Sequence, residues 1–249
     1  MSPEGAHIWA PYCGVAPIPG EWLGRWNLDP VLLVGVAALF VWVWKSGPDS
    51  PARRRIVASA LAITILVFVS PFCALSAALF SARVAHHLLL TVAIAPLLVF
   101  ALPLERTRWP GSLLFWTAIQ ALCFWLWHAP DLYARALSSH SVYWLMQLTL
   151  AGTAAGFWAA LRRSGEPAAV AALLTTTVQM GLLGALITFA SVPIYEPHFL
   201  TTFPWGFSAL EDQQIAGLIM WAPAAALYLA AALFIAGRWL AREERKPIR

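Results

Sequence analysis

The chain of 249 residues is too apolar for a water-soluble globule of its size. Hydrophobic residues make up 60% of it, charged residues only 11%, and the mean hydropathy is +0.70. Composition therefore excludes the soluble classes and favours a single integral membrane domain over residues 1–249. The net charge of +4 lies in short clusters between apolar runs. Such clusters are typical of membrane topology signals and not of a nucleic-acid surface.

Residues 1–27 are interpreted as a tail on the outer side of the membrane. Residues 1–24 contain no Lys or Arg and no continuous apolar segment before a cleavage site, so we expect no removable signal peptide. The three cysteines, Cys13, Cys73 and Cys123, have no CxxC spacing and are odd in number. The sequence therefore predicts no disulfide framework.

Apolar runs of about 20 residues, the length a helix needs to cross hydrocarbon, recur seven times within residues 28–240. The predicted spans are Leu28–Trp44, Ile56–Phe80, Val84–Leu102, Ser112–Ala129, Ser141–Leu161, Ala168–Ala190 and Ile215–Trp239. The predicted fold class is thus an all-α polytopic membrane bundle of seven transmembrane helices. Prolines that lack an N–H donor are expected to bend the spans at Pro71, Pro96 and Pro223. Small residues should allow close helix approach at Gly152, Gly156, Gly181 and Gly184.

The distribution of basic residues predicts the orientation of the bundle. Alternate connections on one side, which include the C-terminal tail 241–249, hold 13 of the 16 Lys and Arg residues, and those on the other side hold 3. Basic loops stay in the cytoplasm. We therefore expect the N-terminus outside and the basic C-terminal tail inside.

With this orientation, every histidine falls on the outer side of the membrane: His7, His86, His87, His128, His140 and His198. Imidazole is the commonest metal-ligating side chain, and helix ends can bring several imidazoles together. Adjacent helical residues point about 100° apart, so His86 and His87 are not expected to bind one ion together. A Cys73 thiolate beside imidazoles would favour copper(I), or zinc as the second candidate, over magnesium or calcium.

Each candidate ligand also has a structural interpretation. An interfacial histidine is commonly a polar tip at headgroup level, and Cys73 and Cys123 have the properties of small apolar packing residues. Ser208 and Glu211 form the S-x-x-E pattern of a capping box before the last span. Asp212 follows them, where a negative charge complements the helix dipole.

Two segments of the chain are distinctive: PWGFSALEDQQ, Pro204 to Gln214, and LWHAPDLY, Leu126 to Tyr133. Both are similar to the CtaG family of cytochrome c oxidase assembly factors, which are linked to the copper centres of caa-type haem–copper oxidases, and the first is the more specific. Further similar residues lie at Trp26 to Pro30, in HLLL from His87, and in APLL from Ala95. The likeness extends over most of the chain.

The resemblance implies metal ligands at four matching positions: His87, His128, His140 and Asp212. The chain departs from the family pattern at Arg83 and Gln147, where the family has histidine, and at Cys73, where it has aspartate. The resemblance therefore implies a variant metal site in which Cys73 compensates.

These observations favour a membrane assembly factor in the bacterial plasma membrane that holds or passes copper at its outer face and contacts oxidase subunits and lipid. Two alternatives stay open: a metal-free structural scaffold, and a redox subunit with one haem between His87 and His128. A transporter is disfavoured because the inner half has almost no ionisable groups. No G-x-S-x-G, H-E-x-x-H or phosphate-binding glycine pattern occurs, so an enzyme is not expected.

Overall fold

The computed structural model describes residue 9 and residues 11–47, 50–102 and 110–244. Within these ranges the secondary structure is helical and contains no strand, which confirms the all-α prediction. Predicted features at His7, at Arg106 and Arg108, and in the tail beyond residue 244 lie outside the described residues.

The α-helices of the described ranges, in chain order, are α1 (Pro30–Lys45), α2 (Pro51–Phe68), α3 (Pro71–Ala78), α4 (Phe80–Leu88), α5 (Ala95–Ala101), α6 (Leu113–Trp127), α7 (Pro130–Ser138), α8 (His140–Arg163), α9 (Glu166–Thr188), α10 (Ala209–Ile219) and α11 (Ala225–Glu243). A π-helical segment, Leu89–Ile94, joins α4 to α5, and a second, Met220–Ala224, joins α10 to α11.

Three continuous helices are long and apolar enough to cross a membrane: Phe80–Ala101, Glu166–Thr188 and Ala209–Glu243. A fourth candidate is the pair formed by α2 and α3, which are bent by 46° at the break between them. Helices α1 and α6 are apolar but shorter. Length and composition thus support three to four spans among the described residues, although a helix overlaps each of the seven predicted segments.

The prolines within the predicted spans interrupt regular helix as expected. Pro71 begins α3 after the bend, and the Ser70 hydroxyl accepts a hydrogen bond from the Phe72 N–H there. Pro96 is the second residue after one π-helical segment, and Pro223 lies inside the other. The turn of a π-helix is wider than that of an α-helix. It accommodates the proline ring and the carbonyl of the preceding turn, which receives no hydrogen bond because proline has no N–H.

Two of the four predicted glycines bring helices into close contact. A Cβ atom on Gly184 of α9 would lie 2.9 Å from the Gly217 carbonyl oxygen of α10, and one on Gly156 would lie 2.2 Å from the Trp116 ring. At Gly152 a Cβ atom would meet nothing within 4 Å, so the packing role predicted for that residue is wrong.

The N-terminal segment is covalently tied to the bundle by a disulfide between Cys13 and Cys73. The sequence analysis, which found no disulfide framework, did not identify this bond. The two residues are 60 positions apart, and they meet because residues 11–29 fold back onto α3, with the Asn27 N–H donating to the Val69 carbonyl. Cysteine spacing contains no information about that approach. Cys123 is a free, buried thiol.

Candidate functional site

The structure brings two of the predicted ligands together. His87 lies in the last turn of α4, and His128 is the residue that ends α6. Their ring centroids are 5.9 Å apart and the ring planes are nearly perpendicular, at 84°. His87 is 1% exposed and His128 4% exposed, so this histidine pair is enclosed by protein.

The two rings of the histidine pair differ in their hydrogen bonds. His128 Nδ1 lies 2.7 Å from the Phe124 carbonyl oxygen, which requires an Nδ1–H donor and leaves the lone pair on Nε2. Metal-ligating histidines are commonly fixed by such a bond. Both ring nitrogens of His87 are buried, and within the described part of the chain neither has a hydrogen-bond partner. An unpartnered buried imidazole is costly, and a ligand on its nitrogen would remove that cost.

A buried positive charge lies one helical turn before His87. The Arg83 side chain is fully buried, and its Nε–H donates to the Ser76 carbonyl oxygen at 3.1 Å. Neither terminal nitrogen has a hydrogen-bond partner among the residues that the structure describes. Its guanidinium lies 5.4 Å from the centroid of the Tyr143 ring. A neighbouring cation weakens the binding of any positive ion, and it weakens a divalent ion more than a monovalent one.

Asp212 is used in a structural contact. Its carboxylate accepts a hydrogen bond from the Phe80 N–H at 2.6 Å, one from the Ser81 N–H at 3.3 Å, and one from the Ser81 hydroxyl. Helix α4 follows Leu79, which has no side chain that could cap it. The Asp212 carboxylate of α10 therefore supplies the missing acceptor and complements the positive end of the α4 dipole.

The remaining predicted ligands lie in other contacts. His140 is exposed, and its ring meets the edge of Tyr12 with centroids 5.4 Å apart. Cys73 is oxidised in the disulfide with Cys13. Across the described ranges no group of three or more His, Cys, Asp or Glu side chains is arranged to hold one metal ion. Of the five predicted ligands, the structure thus brings His87 and His128 together.

His198 contributes a buried contact that sequence analysis did not find. Its Nε2 lies 2.6 Å from the Tyr133 hydroxyl oxygen, and its Nδ1 lies 3.3 Å from the Ala78 carbonyl oxygen. Burial lowers the pKa of His198 to about 3, although the bond to Ala78 opposes this shift. The ring is therefore neutral and joins the loop before α10 to α7. No spacing in the sequence indicates this contact, because its partners belong to separate elements.

The loop that contains His198 also contacts the histidine pair. The Tyr195 hydroxyl donates to the His128 carbonyl oxygen at 2.9 Å, and the Tyr195 ring stacks on Phe80 with centroids 3.7 Å apart. The end of α6 and the start of α4 are thus held by one loop. This arrangement holds the end of α6 that carries His128, whereas His87 lies at the opposite end of α4 from Phe80.

Comparison with known families identifies the group to which the chain belongs. The family model of the cytochrome c oxidase caa3 assembly factor, Caa3_CtaG, matches residues 108–242, which is more than half of the chain. The chain belongs to this family. No curated protein and no solved structure matches the chain.

Membership of Caa3_CtaG supports a role in assembling a caa3-type cytochrome c oxidase and confirms the resemblance found in the sequence. The matched range includes His128, His140 and Asp212, whereas His87 and Cys73 lie before it. The histidine pair thus joins one residue of the matched region to one outside it.

Proposed function

We propose that the chain is an integral membrane factor that assists assembly of a caa3-type oxidase and holds or passes copper at the outer face, with His87 and His128 as the ligands. The observation that carries this proposal is the enclosed histidine pair, with ring centroids 5.9 Å apart and two unpartnered nitrogens on His87. A metal–nitrogen bond is about 2 Å long, so one shared ion fits between two imidazoles at this separation.

Two imidazoles beside a buried guanidinium favour copper(I) among the candidate ions. Zinc sites in proteins have four ligands, of which at least three come from protein, and magnesium and calcium require oxygen ligands. Two nitrogens satisfy neither requirement. A monovalent ion is also repelled less by Arg83 than a divalent one. In this proposal Cys73 and Asp212 do not bind the ion, because the disulfide and the cap of α4 engage them.

The proposed topology has seven membrane crossings with the N-terminus outside. It is supported by the basic residues, which concentrate in alternate connections, and by a helix at each of the seven apolar segments. The disulfide of Cys13 supports an outer location for the N-terminal segment, because disulfides persist in oxidising compartments. In a bacterium the membrane is then the plasma membrane.

Copper stoichiometry of histidine variants tests the proposal. The full chain is purified in detergent, loaded with copper(I) under reductant-free anaerobic conditions that keep the disulfide intact, and analysed for bound copper. His87→Ala and His128→Ala should each lose most of the bound copper while the melting temperature stays close to wild type. His140→Ala is the matched control, since this exposed histidine is outside the pair, and it should retain copper.

The outcomes separate the alternatives. If the wild-type protein binds no copper, the copper proposal is rejected and the metal-free scaffold is favoured. A Soret band in the purified protein would establish the haem interpretation instead. Copper loss in His140→Ala but not in His87→Ala would contradict the assignment of the ligands. In each case the role in oxidase assembly is assessed separately, by measuring oxidase activity in membranes of a deletion strain complemented with each variant.

A further inference from the structure

The two sulfurs of the Cys13–Cys73 disulfide have different surroundings. Cys13 is partly exposed in a turn, and the next two residues, Gly14 and Val15, are exposed. Cys73 is fully buried in α3. Cys13 Sγ lies 3.7 Å from the Tyr143 hydroxyl oxygen on one side. Because only the Cys13 residue has exposed surface, we expect an incoming thiol to attack Cys13 Sγ and not Cys73 Sγ. In thiol–disulfide exchange the attacked sulfur forms the new bond and the other sulfur leaves as a thiolate.

The surroundings of Cys73 stabilise a leaving thiolate. Cys73 is the third residue of α3, so its side chain lies at the positive end of the helix dipole. Independently of the helix, Asn27 Nδ2 points its N–H at Cys73 Sγ, 3.8 Å away. Helix N-termini and nearby donors make cysteine a better leaving group. These two features offset the cost that burial imposes on the leaving Cys73 thiolate.

The segment held by the disulfide is anchored by further contacts. Tyr12 stacks on Tyr143 with ring centroids 5.0 Å apart, and its hydroxyl donates to Asp29 at 2.6 Å. The Trp205 indole N–H donates to the Pro17 carbonyl oxygen at 3.0 Å. These contacts do not involve sulfur, so the segment would remain docked when the S–S bond opens. Cys13 and Cys73 would then stay close enough to close the bond again.

We propose that Cys13–Cys73 is a redox-active disulfide that exchanges with dithiols on the outer side of the membrane. A thiolate of the dithiol attacks Cys13 Sγ, the Cys13–Cys73 bond breaks, and its electron pair leaves on Cys73 Sγ. The second thiol of the dithiol then attacks the mixed disulfide and releases the Cys13 thiolate. The dithiol loses two electrons and becomes a disulfide, while the Cys13–Cys73 pair gains two electrons and is reduced.

The site of attack is tested with glutathione as the probe. The full chain with Cys123→Ser, which removes the free thiol, is incubated with reduced glutathione in detergent, quenched in acid and mapped by mass spectrometry after alkylation. Glutathione should be attached to Cys13, with Cys73 alkylated, in at least about tenfold excess over the reverse adduct, since the buried sulfur is not accessible. Attack on Cys73, equal adducts, or reaction only in urea-unfolded protein would overturn the proposal.

Variants of Asn27 test the leaving side. Asn27→Ala removes the N–H donor, and Asn27→Asp also adds a negative charge beside the developing thiolate. The exchange rate should fall by about tenfold in Asn27→Ala, the effect of losing one hydrogen bond to a charged group, and by more in Asn27→Asp. Trp205→Phe is the control, because it removes a contact of the N-terminal segment that does not involve sulfur.

The control separates an effect on the leaving thiolate from general loosening of the segment. General loosening of the N-terminal segment would make thiol–disulfide exchange faster, both in Trp205→Phe and in the two Asn27 variants. Equal exchange rates in wild type and Asn27→Asp, at equal melting temperatures, would contradict the role of Asn27. None of these outcomes depends on copper, so the proposal can fail while the histidine pair retains its ion.

Discussion

At the scale of single residues, the buried polar side chains near α4 act through partners that are distant in sequence. The Asp212 carboxylate accepts a hydrogen bond from the Phe80 N–H of α4, although the two residues are 132 positions apart in sequence. His198 is hydrogen-bonded to Tyr133, which is 65 positions away. A predicted ligand can therefore be a structural residue, as Asp212 is here. Stability and pH dependence distinguish these roles from metal binding.

Replacing Asp212 should destabilise the fold without removing copper. Asp212→Ala leaves the Phe80 and Ser81 N–H groups without an acceptor, and an unpaired buried donor costs about 1–3 kcal/mol. Unfolding in detergent and copper stoichiometry are measured together, with Glu211→Ala, an exposed capping-box residue, as the control. Copper loss at unchanged stability would show that Asp212 is a ligand and not a cap.

His198 should make stability fall in acid. Its pKa is about 3 in the folded chain because of burial, against 6.5 for the ordinary residue. Between these values only the unfolded state binds the proton. The contribution of His198 is thus fully present above pH 6.5 and is lost as the pH falls toward 3.

The measurement is the slope of unfolding free energy against pH in wild type and His198→Gln. Between pH 6 and 4 the unfolding free energy of wild type should fall more steeply than that of His198→Gln, by about 1.4 kcal/mol per pH unit. The variant lacks the proton that His198 takes up on unfolding. His140→Gln, at an exposed histidine, serves as the comparison. Parallel slopes for wild type and His198→Gln would refute the prediction.

At the scale of helices, close approach depends on which face of a helix meets a neighbour. Gly184 of α9 faces the backbone of α10, whereas Gly152 of α8 faces open space. Both lie in apolar helices and are indistinguishable in sequence. The difference arises only when helices pack, because backbone atoms cannot move aside as a flexible side chain can.

Gly184→Ala should therefore push α9 and α10 apart. The added methyl would lie 2.9 Å from both the Gly217 carbonyl oxygen and the Trp221 backbone nitrogen. Overpacking of this kind costs about 1–3 kcal/mol. Gly152→Ala should be neutral or stabilising, since alanine favours helix by up to about 1 kcal/mol over glycine. Melting temperatures of the two variants in detergent provide the test, and equal values would contradict this account.

At the scale of the whole molecule, the basic residues and an ion pair between helix ends mark one common face. Arg242 near the end of α11 forms an ion pair with Glu166 at the start of α9, which places those two ends at the same face. The two adjoining connections contain seven of the 16 basic residues, Arg162 and Arg163 before α9 and five from Arg238 onward. The proposed orientation assigns this face to the cytoplasm.

Reporter fusions test the orientation directly. Green fluorescent protein fused after Arg249 should fluoresce and alkaline phosphatase at the same position should be inactive, because the basic tail is not translocated. The reciprocal fusion before the N-terminal segment is the internal control. Active phosphatase at the C-terminus would reject the orientation, and with it the outer location of the histidine pair.

The sequence by itself determined the helical class, the apolar segments that helices overlap, the prolines that interrupt them and the Ser208–Glu211 capping box. These features depend on apolar run length and on neighbours within one turn, which a linear pattern records. Only the tertiary structure decided that Cys13 bonds to Cys73, that Asp212 caps α4, and that His87 meets His128 while His140 does not. Such contacts join residues from separate helices, and helix packing, which no local pattern encodes, sets the distance between them.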